Sequence, residues 1–167
     1  MPASHESPSP ELIGRLLNQQ GAVLALYASQ WTASPDDCVQ EALVELARQP
    51  RTPDSPVAWL YRVVKRRALN AARGDRRRRE REQAVGQSRV ATAGSQATDF
   101  AEIAELLAQL DGPDREAVVL RLWGGLTFAE IADTLGLSTA TAHRRYEQAL
   151  ETLRQVCDAT TPTEREP

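Results

Sequence analysis

Helix punctuation constrains this chain more than any other feature. Ser9-Pro10-Glu11 sets a capping hydroxyl, a first-position proline and an early carboxylate in succession, the order that a helix start favours. Ser34-Pro35-Asp36-Asp37 repeats the device, and Asp54-Ser55-Pro56 gives it again. Proline costs nothing there, because the first amides of a helix lack a carbonyl partner in any case. Behind each start the apolar residues return at helical spacing. The first set is Leu12, Leu16, Leu17, Val23, Leu24 and Leu26; the second is Val39, Ala42, Leu43 and Leu46; the third is Val57, Leu60, Val64 and Ala68. The second helix is expected to end near Arg48, where Gln49-Pro50-Arg51-Thr52-Pro53 breaks the chain.

A further periodic block begins with Ile103, Leu106, Leu107 and Leu110 and stops at Asp111-Gly112. Pro113 opens a helix carrying Val118, Val119, Leu120 and Leu122, and Trp123-Gly124-Gly125 closes it. Thr127 and Glu130 have the spacing of a capping box, in which hydroxyl and carboxylate each satisfy a free amide. That helix runs from Ile131 to Leu135, turns at Gly136 and restarts with Ser138 as cap, ending near Val156. From Glu82 to Thr98 the chain is rich in Ala, Gly, Ser, Gln and Thr without periodicity, which reads as a flexible linker. No strand-like alternation and no internal repeat is evident. The expected fold is all-α. Two small helical domains, 9–81 and 99–157, flank a linker at 82–98, with disordered tails at 1–8 and 158–167, and the second domain ends in a helix-turn-helix.

The 167 residues are 41% hydrophobic, enough for a packed core. No run approaches the ~20 apolar residues of a membrane span. The segment Met1 to Pro10 has neither a basic start nor an apolar stretch and reads as no secretory signal. Cys38 and Cys157 are expected as unpaired helix residues, which suits a reducing cytoplasm. There is no glycine-rich phosphate loop, HExxH, CxxC or GxSxG, and no acidic cluster with metal spacing. Catalysis, a cofactor and a metal are not expected.

The net charge of −3 conceals a strong asymmetry. Residues 62–81 hold ten basic side chains against Asp75 and Glu80, a charge of +8, which leaves −11 for the remainder. Such polarity points to a polyanionic partner, usually nucleic acid, although a solvated face or a basic linker has the same composition. On a helical projection Leu60, Val64, Ala68, Ala71 and Ala72 take one side. Arg62, Lys65, Arg66, Arg73, Arg76 and Arg77 take the other, with Asn70 and Trp59 on the margin. A basic stripe can follow a phosphate backbone. Trp59 either stacks on an unpaired base or packs within its own domain.

The second helix has the opposite sign. Asp37, Glu41 and Glu45 form an acidic stripe opposite its apolar face, and like charges at that spacing repel by a few tenths of a kcal/mol. The helix dipole accounts for Asp36 and Asp37 but not for Glu41 and Glu45. Either a basic protein surface docks there or the face is solvated. In the last helix Ala142, Tyr146, Ala149, Leu150 and Leu153 share a core stripe, with Thr141, Arg144, Arg145 and Gln148 roughly opposite. Guanidinium forks suit guanine or phosphate, and an amide suits adenine. His143 at the edge suits a phosphate better than a metal, having no spaced second ligand. A helical hairpin with a polar outer face is the alternative.

At this point the residues resemble a family. Asp36-Asp-Cys-Val-Gln-Glu-Ala-Leu43 and Trp59-Leu-Tyr-Arg-Val-Val64 resemble the second conserved region of bacterial extracytoplasmic-function (ECF) sigma factors. Leu110 to Leu120, Gly125 to Leu135 and Ser138 to Arg145 resemble their fourth region. The resemblance implies that Asp36, Asp37, Gln40, Glu41 and Glu45 meet the β′ clamp helices of core RNA polymerase. It implies that Arg51, Trp59, Arg62, Lys65, Arg66, Asn70, Arg73 and Arg77 hold the melted −10 strand. Ser138, Thr139, Thr141, His143, Arg144, Arg145 and Gln148 would read duplex −35 DNA while their domain packs on the β flap. The linker would thread toward the RNA exit path, and an anti-sigma factor is a typical partner. Arg66 stands where Asn is usual, Asn70 where Asp is usual and Gln148 where Arg is frequent, and Glu147 adds an acid beside the DNA face. Two other readings are a helix-turn-helix regulator working without polymerase and an RNA-binding or scaffold protein using the arginine-rich helix.

Overall fold

The computed structural model describes residues 6–85 and 101–160. Seven helices and no strand occur among them: α1 (Pro10–Ala28), α2 (Pro35–Ala47), α3 (Pro56–Val85), α4 (Ala101–Leu107), α5 (Gly112–Leu122), α6 (Phe128–Leu135) and α7 (Thr139–Thr160). They fall into two compact units, 1–96 and 97–167. The expected all-α class holds.

In the N-terminal unit the proline-marked starts behave as anticipated. The Ser9 hydroxyl accepts from the Leu12 amide at 3.2 Å, while Ser34 makes no side-chain capping bond, leaving the start of α2 to Pro35, Asp36 and Asp37. The core draws on all three helices: Leu16, Leu24 and Tyr27 from α1, Val39, Ala42 and Leu46 from α2, and Leu60, Tyr61, Val64 and Ala68 from α3. Tyr27 and Tyr61 meet edge to face at 5.1 Å, a preferred aromatic geometry. The Tyr61 hydroxyl donates to Gln20 Oε1 at 3.2 Å, and burial pushes its phenol well above the ordinary value of 10.0.

Three boundaries differ from the expectation. Residues 6–8 belong to the fold: Glu6 carbonyl oxygen accepts from the Thr52 amide at 3.0 Å and the Thr52 hydroxyl at 2.8 Å, and Pro8 is buried. Helix α3 continues to Val85, past the expected end at Arg81, because Glu82, Gln83 and Ala84 are good helix formers. Helix α7 likewise runs beyond Val156 to Thr160. The rest of the expected linker, 86–98, and of the tails, 1–5 and 161–167, lies outside the described residues.

The C-terminal unit buries Leu107, Leu110, Val118, Val119, Leu120, Leu126, Ile131, Ala142 and Ala149. Arg115 closes the end of α4, its Nε donating to Leu107 O at 2.7 Å and its Nη2 to Leu110 O at 2.9 Å. Arg121 donates from Nη1 to Leu126 O at 2.8 Å and lies over the Phe128 ring at 4.8 Å, so the loop between α5 and α6 is held from inside. The capping box is complete: the Glu130 amide donates to Thr127 Oγ1 at 3.2 Å and the Thr127 amide to Glu130 Oε2 at 2.8 Å. At the end of α6, Gly136 adopts φ 68 and ψ 37, a left-handed cap that a residue with a Cβ adopts only at a cost. Leu137 N donates to Ala132 O at 2.9 Å, which closes the turn. The Ser138 hydroxyl then accepts from the Thr141 amide at 3.1 Å and opens α7.

Candidate nucleic-acid interface

Helix α3 carries the basic surface of the N-terminal unit. Its buried stripe, Leu60, Val64 and Ala68, anchors one side and leaves the cations on the other. Arg62, Lys65, Arg66, Leu69, Asn70 and Arg73 line an open groove of about 260 Å³. Five of the eight residues expected at the −10 strand are thus brought together. Arg77 is exposed further along α3, Arg51 is exposed in the loop before it, and Trp59 is half-buried in its first turns. Arg73 Nη1 donates to Asn70 Oδ1 at 3.2 Å. Lys65 Nζ stands over the ring of Trp31, 5.6 Å from its centroid, and Trp31 packs edge on against Tyr27 at 5.0 Å. Trp31 lies in a loop, where helical periodicity has nothing to say, so the sequence reading passed over it.

The acidic face of α2 adjoins this groove through ion pairs. Arg67 donates from Nη1 to Glu41 Oε2 at 2.6 Å and from Nη2 to Glu45 Oε2 at 2.6 Å. Arg66 Nη2 reaches the other oxygen of Glu45 at 2.7 Å. The repulsion expected along the stripe is therefore answered within the domain, with Arg67 as the missed member. Its signal was an arginine three residues after Val64 and one before Ala68, at the edge of a buried stripe, where a charge needs a partner. Arg67 Nε is buried and has no acceptor among the described residues. Gln40, Glu41, Val44, Glu45, Arg48, Gln49 and Arg67 line a wide depression of about 510 Å³. Val44 is 48% exposed in its midst, an apolar centre rimmed by charge, the usual anatomy of a protein contact. Asp36 and Asp37 are exposed in the first turn of α2.

Desolvation alone would raise the Glu45 carboxyl, but hydrogen bonds and charge from Arg66 and Arg67 outweigh it and hold it below 4.5. Burial, with the Glu41 and Asp37 charges, pushes the Cys38 thiol up against the opposing effect of Arg67, so Cys38 stays a neutral buried thiol. Cys157 lies exposed on α7.

In the C-terminal unit α7 presents Ser138, Thr139, His143, Arg144 and Gln148 to solvent. Thr141 is half-buried, its hydroxyl 2.8 Å from that of Ser138. The His143 ring packs edge on against Phe128 at 4.8 Å, with Glu147 Oε2 3.5 Å from its Nδ1. Arg145 departs from the projection that set it opposite the core. It is half-buried, and its Nη1 donates to Asp114 Oδ1 at 3.1 Å. Asp114 has 7% of its side chain exposed, so Arg145 neutralises a buried carboxylate and ties α7 to the start of α5. Among the described residues no group of three His, Cys, Asp or Glu could hold a metal, and no helix is long and apolar enough to cross a membrane.

Two sequence profiles match these two units: Sigma-70 region 2 over residues 19–78 and Sigma-70, region 4 over residues 100–153. The ECF RNA polymerase sigma factor SigK of Mycobacterium ulcerans is 30% identical over 135 residues, 74% of this chain and 72% of that protein. The chain belongs to the ECF sigma factors of the sigma-70 family. The sigma factor SigL of Mycobacterium tuberculosis is 29% identical over 158 residues, 86% of this sigma factor and 87% of that one. Among solved structures, CnrH in complex with the cytosolic domain of CnrY shares the fold with a TM-score of 0.62, at 24% identity over 93% of each chain. So does the sigma factor RpoE in complex with the anti-sigma factor NepR from Bartonella quintana, with a TM-score of 0.62, at 20% identity over 92% of this chain and 100% of that one.

Two measurements check this geometry. A lowered carboxyl contributes stability that is present above its ordinary value and lost as pH falls through its folded value. Wild type should therefore exceed Glu45→Gln in urea stability by up to about 1 kcal/mol above pH 4.5, the gap closing as the medium becomes more acidic. A gap that ignores pH contradicts the pairing. Arg145→Ala leaves the Asp114 carboxylate unpaired and should cost the C-terminal unit on the order of 1–3 kcal/mol. Arg144→Ala on the open face should cost under about 0.5 kcal/mol. Equal losses would show that Arg145 does not hold the helix.

Proposed function

We propose that this sigma factor divides its task among three surfaces, one for core polymerase and two for promoter DNA. Asp36, Asp37, Gln40, Glu41 and Glu45 on α2, with exposed Val44 among them, suit a cationic protein surface, which we assign to the β′ clamp helices. The groove of Arg62, Lys65, Arg66, Asn70 and Arg73, extended by Arg51, Trp59 and Arg77, takes the melted strand of the −10 element. Helix α7 lies in the major groove of the −35 element. There Thr139, Arg144 and Gln148 face base edges and Ser138 and His143 face phosphates, while Thr141 and Arg145 set the angle of the helix. Leu122, 52% exposed at the end of α5, offers the same unit an apolar contact for the β flap.

The observation that carries this reading is the basic groove on one separately folded unit and an exposed helix-turn-helix on another. Strand capture and duplex reading need different chemistry: a groove for an unstacked backbone and a helix for base edges. Capture offsets unstacking, which costs a few kcal/mol per step, so melting proceeds without hydrolysis by this chain, and no catalytic residue is assigned. On this reading the chain works in the cytoplasm beside polymerase, and the segment that follows α3 runs toward the RNA exit path. An anti-sigma factor is its expected regulator, as one solved relative is in complex with such a factor. Nothing in the geometry favours a polymerase-free regulator or an RNA scaffold.

The test compares duplex with pre-melted templates. Arg62→Ala, Lys65→Ala and Arg66→Ala together should reduce transcription from a duplex promoter at least tenfold, about 1.4 kcal/mol, and much less from a promoter carrying a pre-opened bubble. An equal fall on both templates removes the basis for strand capture.

A further inference from the structure

Glu45 sits where the two surfaces of the N-terminal unit meet. One carboxylate oxygen receives Arg67 at 2.6 Å and the other receives Arg66 at 2.7 Å. Glu45 lines the acidic depression, and Arg66 lines the basic groove. One carboxylate of the polymerase face thus neutralises a guanidinium of the DNA face.

The two arginines differ in how firmly they are held. The Arg67 side chain is 30% exposed, grips both Glu41 and Glu45, and buries its Nε. The Arg66 side chain is 57% exposed and, among the described residues, pairs with Glu45 alone. Carboxylate and phosphate oxygens compete for the same N–H fork, so a DNA strand must take Arg66 from Glu45. A cationic surface that engages Glu45 weakens that hold. Arg67 keeps the α2–α3 contact through Glu41 while Arg66 changes partner.

We propose that Glu45 is a positioning residue for strand capture: it occupies Arg66 in the free protein, and docking of a basic surface on α2 releases Arg66 to the phosphate backbone. This rests on the assignment of the α3 groove to single-stranded DNA. Because coupling between two sites is reciprocal, a strand that takes Arg66 also frees Glu45 for the protein partner. An exposed ion pair sets the scale at about two- to fivefold in affinity.

The experiment measures anisotropy of a fluorescein-labelled oligothymidylate of about twelve nucleotides, within the usual site size of such grooves, against the full-length protein across a salt series. Phosphate contacts are sequence-independent, so no promoter sequence is needed. Glu45→Gln should bind about two- to fivefold more tightly than wild type at low salt. Its logarithmic salt slope should steepen by about 0.7, one added contact on a single strand. Glu11→Gln removes the same charge from the first turn of α1 and should leave the slope unchanged. In an Arg66→Ala background the gain from Glu45→Gln should vanish. Thermal melts by circular dichroism establish that each variant is folded, and Glu45→Asp, which keeps the charge, should stay near wild type. The proposal is overturned if Glu45→Gln behaves like Glu11→Gln, or if its gain survives without Arg66. If Arg62→Ala and Arg73→Ala leave oligothymidylate binding unchanged, the groove assignment itself fails. If they weaken binding while Glu45→Gln changes nothing, only the coupling fails.

Discussion

The N-terminal unit turns on a charge network between two helices of opposite sign. Glu41 and Glu45 on α2 face Arg66 and Arg67 on α3 through three contacts of 2.6 to 2.7 Å. An acidic helix and a +8 segment would each repel themselves if left alone. Laid side by side over a core of Leu46, Leu60, Val64 and Ala68, they cancel along their shared edge and keep their outer faces charged. The outer acid is the surface we propose for protein, and the outer base the one we propose for DNA. The same packing that stabilises the unit therefore holds two surfaces of opposite charge a few side chains apart.

The C-terminal unit solves a different problem, which is to aim one helix. Its turn needs a left-handed residue, supplied by Gly136 at φ 68, and a fixed start for α6, supplied by the Thr127–Glu130 box. The Arg145–Asp114 pair at 3.1 Å then ties α7 back to α5. Arg144 and Gln148 remain exposed. A reading helix gains from such bracing, since base-edge hydrogen bonds demand a set register. In the proposed reading Arg145 serves recognition by orienting its neighbours.

What the sequence revealed was local. Prolines at helix starts, the capping box and Gly136 act within a few residues, and each produced the anticipated element. Buried stripes such as Leu60, Val64 and Ala68 were legible because helical period alone sorts them. The features that escaped depend on distant partners. Glu45 meets Arg67 across 22 positions and Arg145 meets Asp114 across 31. The bond of Thr52 to Glu6 spans 46, and it makes residues 6–8 part of the fold where a tail was expected. A helical projection shows which way a side chain points but not what stands in front of it. Family resemblance suggested the surfaces; the pairing of Glu45 with Arg66 at 2.7 Å is visible only in the structure.

This chain directs polymerase to promoters, and on the proposed reading both of its units act together. Run-off transcription with purified core polymerase on a library of promoter templates tests it most directly. Discrete transcripts should appear that need the added protein, come from a subset of templates sharing two elements, and disappear when either unit is removed. Stable binding of the free protein to duplex templates, with no transcript above that of core polymerase alone, would contradict it.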